Sequence, residues 1–280
     1  MSANEHYEKE IERLLWKNFG GGDERLRLSL LQLVKDAGDS HGPDGERLVH
    51  ELLDRYTYLS NDEYDDAISS IAEYISTEFE VASTLLCAST ADHEKDSAQR
   101  VLYDVVTALG FLGISKIKSV NRYDSAHRHA ADTTDLILLD EFLGTGRSMK
   151  GRVNTLHRNF KSKNLPIPKI HVIVVAGMDF GMRQIAHMVS TLYPYISLSP
   201  GLRGFLDNAS LKEAYSVMDA IEGILAAEYE GKILPKYGDG GCEALYARKS
   251  GNCPNSVFPI FWWPVSIDGM WRRPAFPRVF

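Results

Sequence analysis

The sequence predicts an α/β protein built mainly on a parallel sheet flanked by helices, with an N-terminal helical extension. Three observations lead there. From about residue 79 onward, short runs of Val, Ile and Leu alternate with helical patterns, the order expected of parallel strands joined by right-handed crossovers. Before that point the apolar residues recur only at helical spacing. Near the middle of the chain, Leu136-Ile137-Leu138-Leu139 is an apolar run too short for a helix, followed at once by Asp140-Glu141 and Gly144-Thr145-Gly146. That is how a buried strand ends at a ligand crevice.

The N-terminal elements follow from their stripes. Tyr7, Ile11, Leu14, Leu15 and Phe19 line one face of a helix that Gly20-Gly21-Gly22 interrupts. Leu48, Val49, Leu52, Leu53 and Tyr56 form a second stripe. Ser60 or Asn61 caps a further helix carrying Ile68, Ile71, Ala72 and Ile75, with Asp62-Glu63 and Asp65-Asp66 near its start, where acids favour the helix dipole. Residues 1–78 therefore read as a helical extension, suited to docking a partner protein or a second copy of the chain, and residues 79–280 as the main domain. Within that domain the patterns predict strands at 81–88, 114–120, 169–176 and near 195–198. Helices are expected at 97–109, ended by Gly110, then at 147–160, near 180–192, and from 210 to about 229. The C-terminal aromatics Phe258, Phe261, Trp262, Trp263, Trp271 and Phe276 are interspersed with Pro, which excludes a regular helix; a strand-like return capping the core is expected. With Arg272, Arg273 and Arg278 between them, stacking on single-stranded nucleobases is the alternative use.

Composition sets limits on function. At 280 residues the chain holds a sizeable core, and 44% apolar with 25% charged residues is ordinary for a globular protein. Lys+Arg 31 against Asp+Glu 38, a net charge of -7, excludes a general nucleic-acid-coating protein. No apolar run spans a bilayer and the N-terminus lacks the features of a signal peptide, so a cytoplasmic protein without membrane contact is expected. Three cysteines at irregular spacing suit a reducing compartment; Cys87 reads as a small buried hydrophobe, and Cys242 and Cys253 have no partner at zinc spacing. No metal ligand is assigned.

The central stretch carries the chemistry. Acids at the end of a parallel strand bind hydroxyls, and a glycine turn that opens a helix near Arg147 presents free amides to phosphate. A ribose 5-phosphate carries both groups, with its hydroxyls on Asp140 and Glu141 and its phosphate in Gly144, Thr145, Gly146, Arg147 and Ser148. Other readings of the same residues are the acidic strand of a P-loop ATPase, which lacks its G-x-x-x-x-G-K-[ST] partner here, a dinucleotide fingerprint with displaced glycines, and a buried strand that merely starts a helix.

These residues resemble the phosphoribosyl pyrophosphate (PRPP) motif of type I phosphoribosyltransferases: a hydrophobic strand, two acids, two apolar residues, a small residue, Thr, Gly, any residue, and Ser or Thr. Glu141 stands where the second acid is usually Asp, and Gly144 where Ser, Thr or Ala is usual. The ending, Asn252-Cys253-Pro254-Asn255-Ser256-Val257-Phe258-Pro259-Ile260-Phe261-Trp262-Trp263 and then Trp271-Arg272-Arg273-Pro274-Ala275-Phe276-Pro277-Arg278, is similar to that of a phosphoribosyltransferase-like family of bacterial conflict and antiphage systems, some beside retron reverse transcriptases. The resemblance covers roughly residues 80 to 280. It implies a pentosyl transferase acting on PRPP with Mg²⁺ through a ribosyl cation, and the reverse transcriptase with its nucleic acid as partners. It also implies a pyrophosphate site in the turn Ser89-Thr90-Ala91-Asp92-His93, a hood over residues 121–134 with Arg122 and Arg128, and an acceptor region near Asp179. The departures at Glu141 and Gly144 keep open an inactive nucleotide- or nucleic-acid-binding or partner-regulating module, and a nucleotide or PRPP hydrolase. The acceptor cannot be read from these residues.

Overall fold

The computed structural model describes residues 3–19, 21, 23–90 and 97–279. Two helices open the chain, α1 (Ala3–Asn18) and α2 (Glu24–Asp54), the second bent at His41-Gly42 just before Pro43, whose missing N–H interrupts the helical ladder. A short strand β1 (Thr57–Leu59) and a helix α3 (Asn61–Glu78) follow; Asp62 and Glu63 occupy the first turn of α3, and Ile68, Ile71, Ala72 and Ile75 are its buried stripe.

The sheet comes next. Its elements are β2 (Thr84–Ala88), α4 (Ser97–Phe111), β3 (Lys118–Val120), β4 (Asp135–Leu143), α5 (Arg147–Ser162), β5 (Lys169–Met178), α6 (Asp179–Ile185) and β6 (Thr191–Leu198). All strand pairs are parallel, in the order β3-β2-β4-β5-β6. β2 is buried at every position and β5 at all but its first, as expected of strands covered on both faces. One face packs Leu136, Leu138, Val172 and Val174 against Met149, Val153, Leu156 and Phe160 of α5. α4 buries Ala98, Val101, Leu102, Val105 and Leu109. Cys87 is one of the buried β2 residues, and burial pushes its thiol well above the usual range.

Several expected bounds are corrected. The acids do not follow the strand but lie inside it, since β4 pairs with β5 as far as Leu143↔Gly177. Residues 81–83 form a 3₁₀ turn before β2. α4 continues through Gly110; the stop is Gly113 at φ 83, where Ile114 N–H reaches Leu109 O at 3.1 Å and Gly113 N–H reaches Gly110 O at 3.0 Å, the paired bonds of a Schellman ending. That ending takes in Ile114, the first residue expected in the strand, and β3 itself is only Lys118–Val120. α6 is shorter and β6 longer than expected; β6 bears Pro194 on the sheet's edge, where a missing donor is tolerated.

The remaining elements are α7 (Asn208–Glu222), the antiparallel pair β7 (Glu228–Tyr229) and β8 (Lys232–Ile233), and β9 (Tyr246–Arg248), parallel to β1. α7 ends seven residues early: the chain leaves the helix at its C-cap Gly223, Leu225 bridges Ser266, and the residues expected at the helix end enter a hairpin whose tight turn holds Glu230 (φ 46) and Gly231 (φ 71). Phe258, Phe261, Trp262, Trp263 and Phe276 are buried, as expected of core aromatics, but they fold through a 3₁₀ turn at Pro259–Phe261 and isolated bridges, not a strand. Trp271, expected in the same core, is 68% exposed.

By their internal contacts the residues gather into two compact units, Met1–Asn61 with Ser199–Phe280, and Asp62–Leu198. α3, grouped by sequence with the helical extension, thus goes with the sheet: Tyr74 stacks on Tyr193 at 4.0 Å and Tyr64 OH donates to Asp104 Oδ2 at 3.0 Å. In the other unit Tyr56 stacks on Phe276 at 4.8 Å, and its hydroxyl donates to Tyr246 O at 3.1 Å. Among the described residues no helix is long and apolar enough to cross a membrane.

Candidate active site at the switch point of the sheet

The strand order locates a candidate crevice. From β2 the chain moves outward to β3, whereas from β4 it moves the other way to β5 and β6, so the direction reverses between β2 and β4. Open α/β sheets bind ligands beyond the carboxyl ends of such a pair. β2 ends at Ala88, and Ser89 N–H still reaches Leu139 O at 3.0 Å; past that point β4 continues alone on this side, carrying Asp140 and Glu141. Ser89 and the two acids are therefore brought together by the register itself.

Alternation along β4 sends Asp140 to the α5 face and Glu141 to the other. Asp140 is held on both oxygens. Its Oδ2 accepts from the Ser89 hydroxyl and from Arg152 Nη1 at 2.8 Å, and its Oδ1 accepts from Glu141 N–H at 2.8 Å. Arg152 Nη1 lies also 3.0 Å from Ser89 Oγ, closing a three-membered network. Asp140 is 7% and Glu141 2% exposed, so the two acids are largely covered. Ser89 and Thr90 are buried as well, and Ser89 spends its hydroxyl proton on Asp140 and not on solvent.

The turn after β4 is open by contrast. Gly146, at φ 78, is the N-cap of α5, and no side chain caps this end. The first intrahelical bond runs from Lys150 N–H to Gly146 O at 2.8 Å, so the amides of Arg147, Ser148 and Met149 precede the ladder. Arg147 N–H makes a long contact to Thr145 Oγ1 at 3.3 Å, and the Arg147 and Ser148 side chains are exposed. The helix dipole adds positive potential at the same place.

Two glycines let α6 close against this turn. A Cβ on Gly181 would stand 1.8 Å from Gly144 O, and one on Gly146 would stand 2.6 Å from Gly181 O. Asp179 begins α6, one position beyond its N-cap Met178, two residues from that contact.

The loop after β3 sits beside the crevice, because Tyr123 N–H donates to Thr90 O at 3.1 Å. A 3₁₀ turn, Tyr123–Arg128, gives it shape. Arg122 grips Asp124 through Nε at 3.1 Å and Nη2 at 2.5 Å, and Asn159 of α5 donates to Asp124 O at 3.0 Å. Arg122, Arg128 and His129 line a cavity of about 410 Å³. Of the expected pyrophosphate turn, Ser89 and Thr90 are placed here, and Ala91, Asp92 and His93 lie outside the described residues.

Sequence reading missed Arg152 and Asp124. Arg152 adjoins Val153 on the buried edge of α5, and a helical wheel extended past the first turn would have put a cation over the acid-bearing strand. Asp124 had no such signal.

A model described as PRTase-CE matches residues 39–278. A solved structure of the Helicobacter pylori xanthine-guanine-hypoxanthine phosphoribosyltransferase is similar over 57% of this chain and 97% of that chain, at 10% identity and a TM-score of 0.34. No curated protein matches.

Proposed function

Because the chain belongs to the PRTase-CE family, we propose that it is a phosphoribosyltransferase-like protein that binds PRPP or a related ribose 5-phosphate ligand at the β2/β4 crevice. The observation that carries this reading is the acid pair of β4 running directly into a turn with Gly146 at φ 78 and the three unladdered amides of α5. The 5-phosphate is held by those amides, with Thr145 and Ser148 adding hydroxyls. Ribose meets the chain at Asp140 and Glu141, and the diphosphate lies toward Ser89, Thr90, Arg122 and Arg128. Arg152 then has two anions to choose between: an incoming diphosphate draws it from Asp140 Oδ2, 2.8 Å away in the structure described, and frees that carboxylate for the ribose.

Among the described residues no group of three or more His, Cys, Asp and Glu is placed to hold a metal ion. The donor set fits Mg²⁺ shared with a ligand, which takes one or two carboxylates and completes its shell from phosphates and water. Asp140, on the face that carries α5 and the phosphate turn, is the residue that would hold it, and when bound it would supply neutralisation of the diphosphate charge. The chain's own part is to orient the sugar and to offset the charge of the departing group with Arg122 and Arg128. Asp179, at the start of α6, is the residue we assign to the acceptor side, and an antiphage effector role working with a reverse transcriptase is the biological setting we propose from the resemblance of the C-terminal motif.

A calorimetric titration with PRPP and Mg²⁺ tests the reading. Ser148 is exposed at the second position of α5, where an acid stabilises the helix but repels phosphate. Ser148→Glu should keep the melting temperature and lose PRPP binding; equal binding by the variant refutes the assigned phosphate position. The burial of Asp140 and Glu141 favours a second reading, a module that binds the ligand without turning it over. Pyrophosphate release from PRPP, measured with and without nucleobase acceptors, separates transferase, hydrolase and silent binder.

A further inference from the structure

The unit formed by Met1–Asn61 and Ser199–Phe280 carries a small cavity at a motif that the phosphate chemistry does not use. Gln32, Leu33 and Asp36 of α2 face Ile260, Trp271 and Arg273 of the C-terminal tail around a cavity of about 280 Å³. That volume lies at the small end of ligand pockets, room for one flat ring system. Arg272 is spent on structure: it donates to Trp263 O at 3.1 Å and pairs with Asp36 Oδ2 at 3.3 Å. Its neighbour Arg273 is exposed and makes no hydrogen bond or ion pair among the described residues.

Trp271 is held as a platform and not buried. The residue is 68% exposed, and its ring stands edge-on to Tyr229 at 6.5 Å. Its backbone is fixed by a bridge to Val265, and Arg272 N–H donates to Pro264 O at 2.7 Å. An indole face open to water, with an unpaired guanidinium two residues along the chain on the same cavity, offers the two groups by which proteins hold a nucleotide: a surface for the base and a cation for the phosphate. The net charge of -7 argues against a long electrostatic track, and the cavity takes one base.

We propose that Trp271 and Arg273 form a nucleotide-binding site, the base stacking on the indole and the phosphate pairing with the guanidinium. The chemistry is shared by a free mononucleotide and by one exposed unit of a single strand. The site stands whether or not the sheet unit binds PRPP.

The test uses the full chain carrying Ser148→Glu, chosen to repel phosphate from the α5 turn so that binding there and binding at Trp271 are separable. AMP and a short 5′-phosphorylated single-stranded oligonucleotide are titrated by calorimetry into this chain and into its Trp271→Ala and Arg273→Ala derivatives. Both residues are exposed, so each derivative should melt with its parent. The expected result is binding that survives Ser148→Glu and weakens by roughly 5- to 150-fold in Trp271→Ala, with a further, salt-dependent loss in Arg273→Ala. Tighter binding of the oligonucleotide assigns the site to single strands, and equal affinities assign it to free nucleotides. Binding of neither probe, or binding that Trp271→Ala leaves unchanged, overturns the proposal.

Discussion

Arg152 makes Asp140 tolerable in a nearly closed position. A carboxylate 7% exposed needs charge-assisted partners, and Arg152 at 2.8 Å and the Ser89 hydroxyl provide them. Arg152→Ala should therefore lower stability by about 2 kcal/mol and weaken PRPP binding as well. Loss of stability alone, with affinity of the folded protein unchanged, would make Arg152 structural only. Glu222 poses the opposite case. It is 2% exposed, among the described residues its oxygens accept only the Tyr237 N–H (3.1 and 3.2 Å), and burial pushes its carboxyl up to about 8. Between its ordinary value of 4.5 and that folded value the native chain keeps a proton that the unfolded chain has released. Stability contributed by the protonated form is complete below the lower value and is lost as pH rises toward the upper one, at no more than about 1.4 kcal/mol per pH unit. Denaturant melts between those limits should show this slope in the wild type and a flatter one in Glu222→Gln; parallel slopes would contradict it. Asp140 and the turn residues were legible in the sequence because strand, acids and glycines are contiguous. Arg152 was not, because its role depends on which face of α5 meets β4.

The run β4, turn and α5 shows how an element's neighbour constrains it. Gly181 of α6 touches the turn so closely that a methyl group would stand 1.8 Å from Gly144 O. Gly181→Ala should push the turn and α6 apart, costing about 2 kcal/mol as an overpacked contact does and weakening PRPP binding. Thermal melts with the same titration check it, and a variant as stable and as tight as the parent would show that the contact is slack. The order of the strands and helices from β2 to β6 was readable from apolar periodicity, whereas β1, β7, β8 and β9 were not. Bounds failed where pairing or a backbone device outranked pattern: Gly113 and not Gly110 stops α4, and past Gly223 the Leu225–Ser266 bridge and the hairpin take residues expected in α7.

At the scale of the molecule, the chain enters the sheet unit at Asp62 and leaves it at Leu198. All five strands of the β3-β2-β4-β5-β6 sheet and every residue assigned to the phosphate site lie between these ends. Residues 62–198 produced alone should melt cooperatively and keep the affinity for PRPP; a fragment that does not fold would show that the remaining residues are required. The composition of the other unit was hidden from sequence reading for a physical reason. It joins segments far apart along the chain, as in the parallel pairing of Thr57–Leu59 with Tyr246–Arg248, and periodicity reports only local order.

The central claim is that the amides opening α5 hold the ligand's 5-phosphate. Amide hydrogen exchange of the full chain, with and without PRPP and Mg²⁺, tests it most directly. The account predicts slowed exchange at Arg147, Ser148 and Met149, which precede the bond from Lys150 N–H to Gly146 O and have no ladder partner of their own. Bound PRPP with unchanged exchange at these three amides, and protection elsewhere, would contradict it.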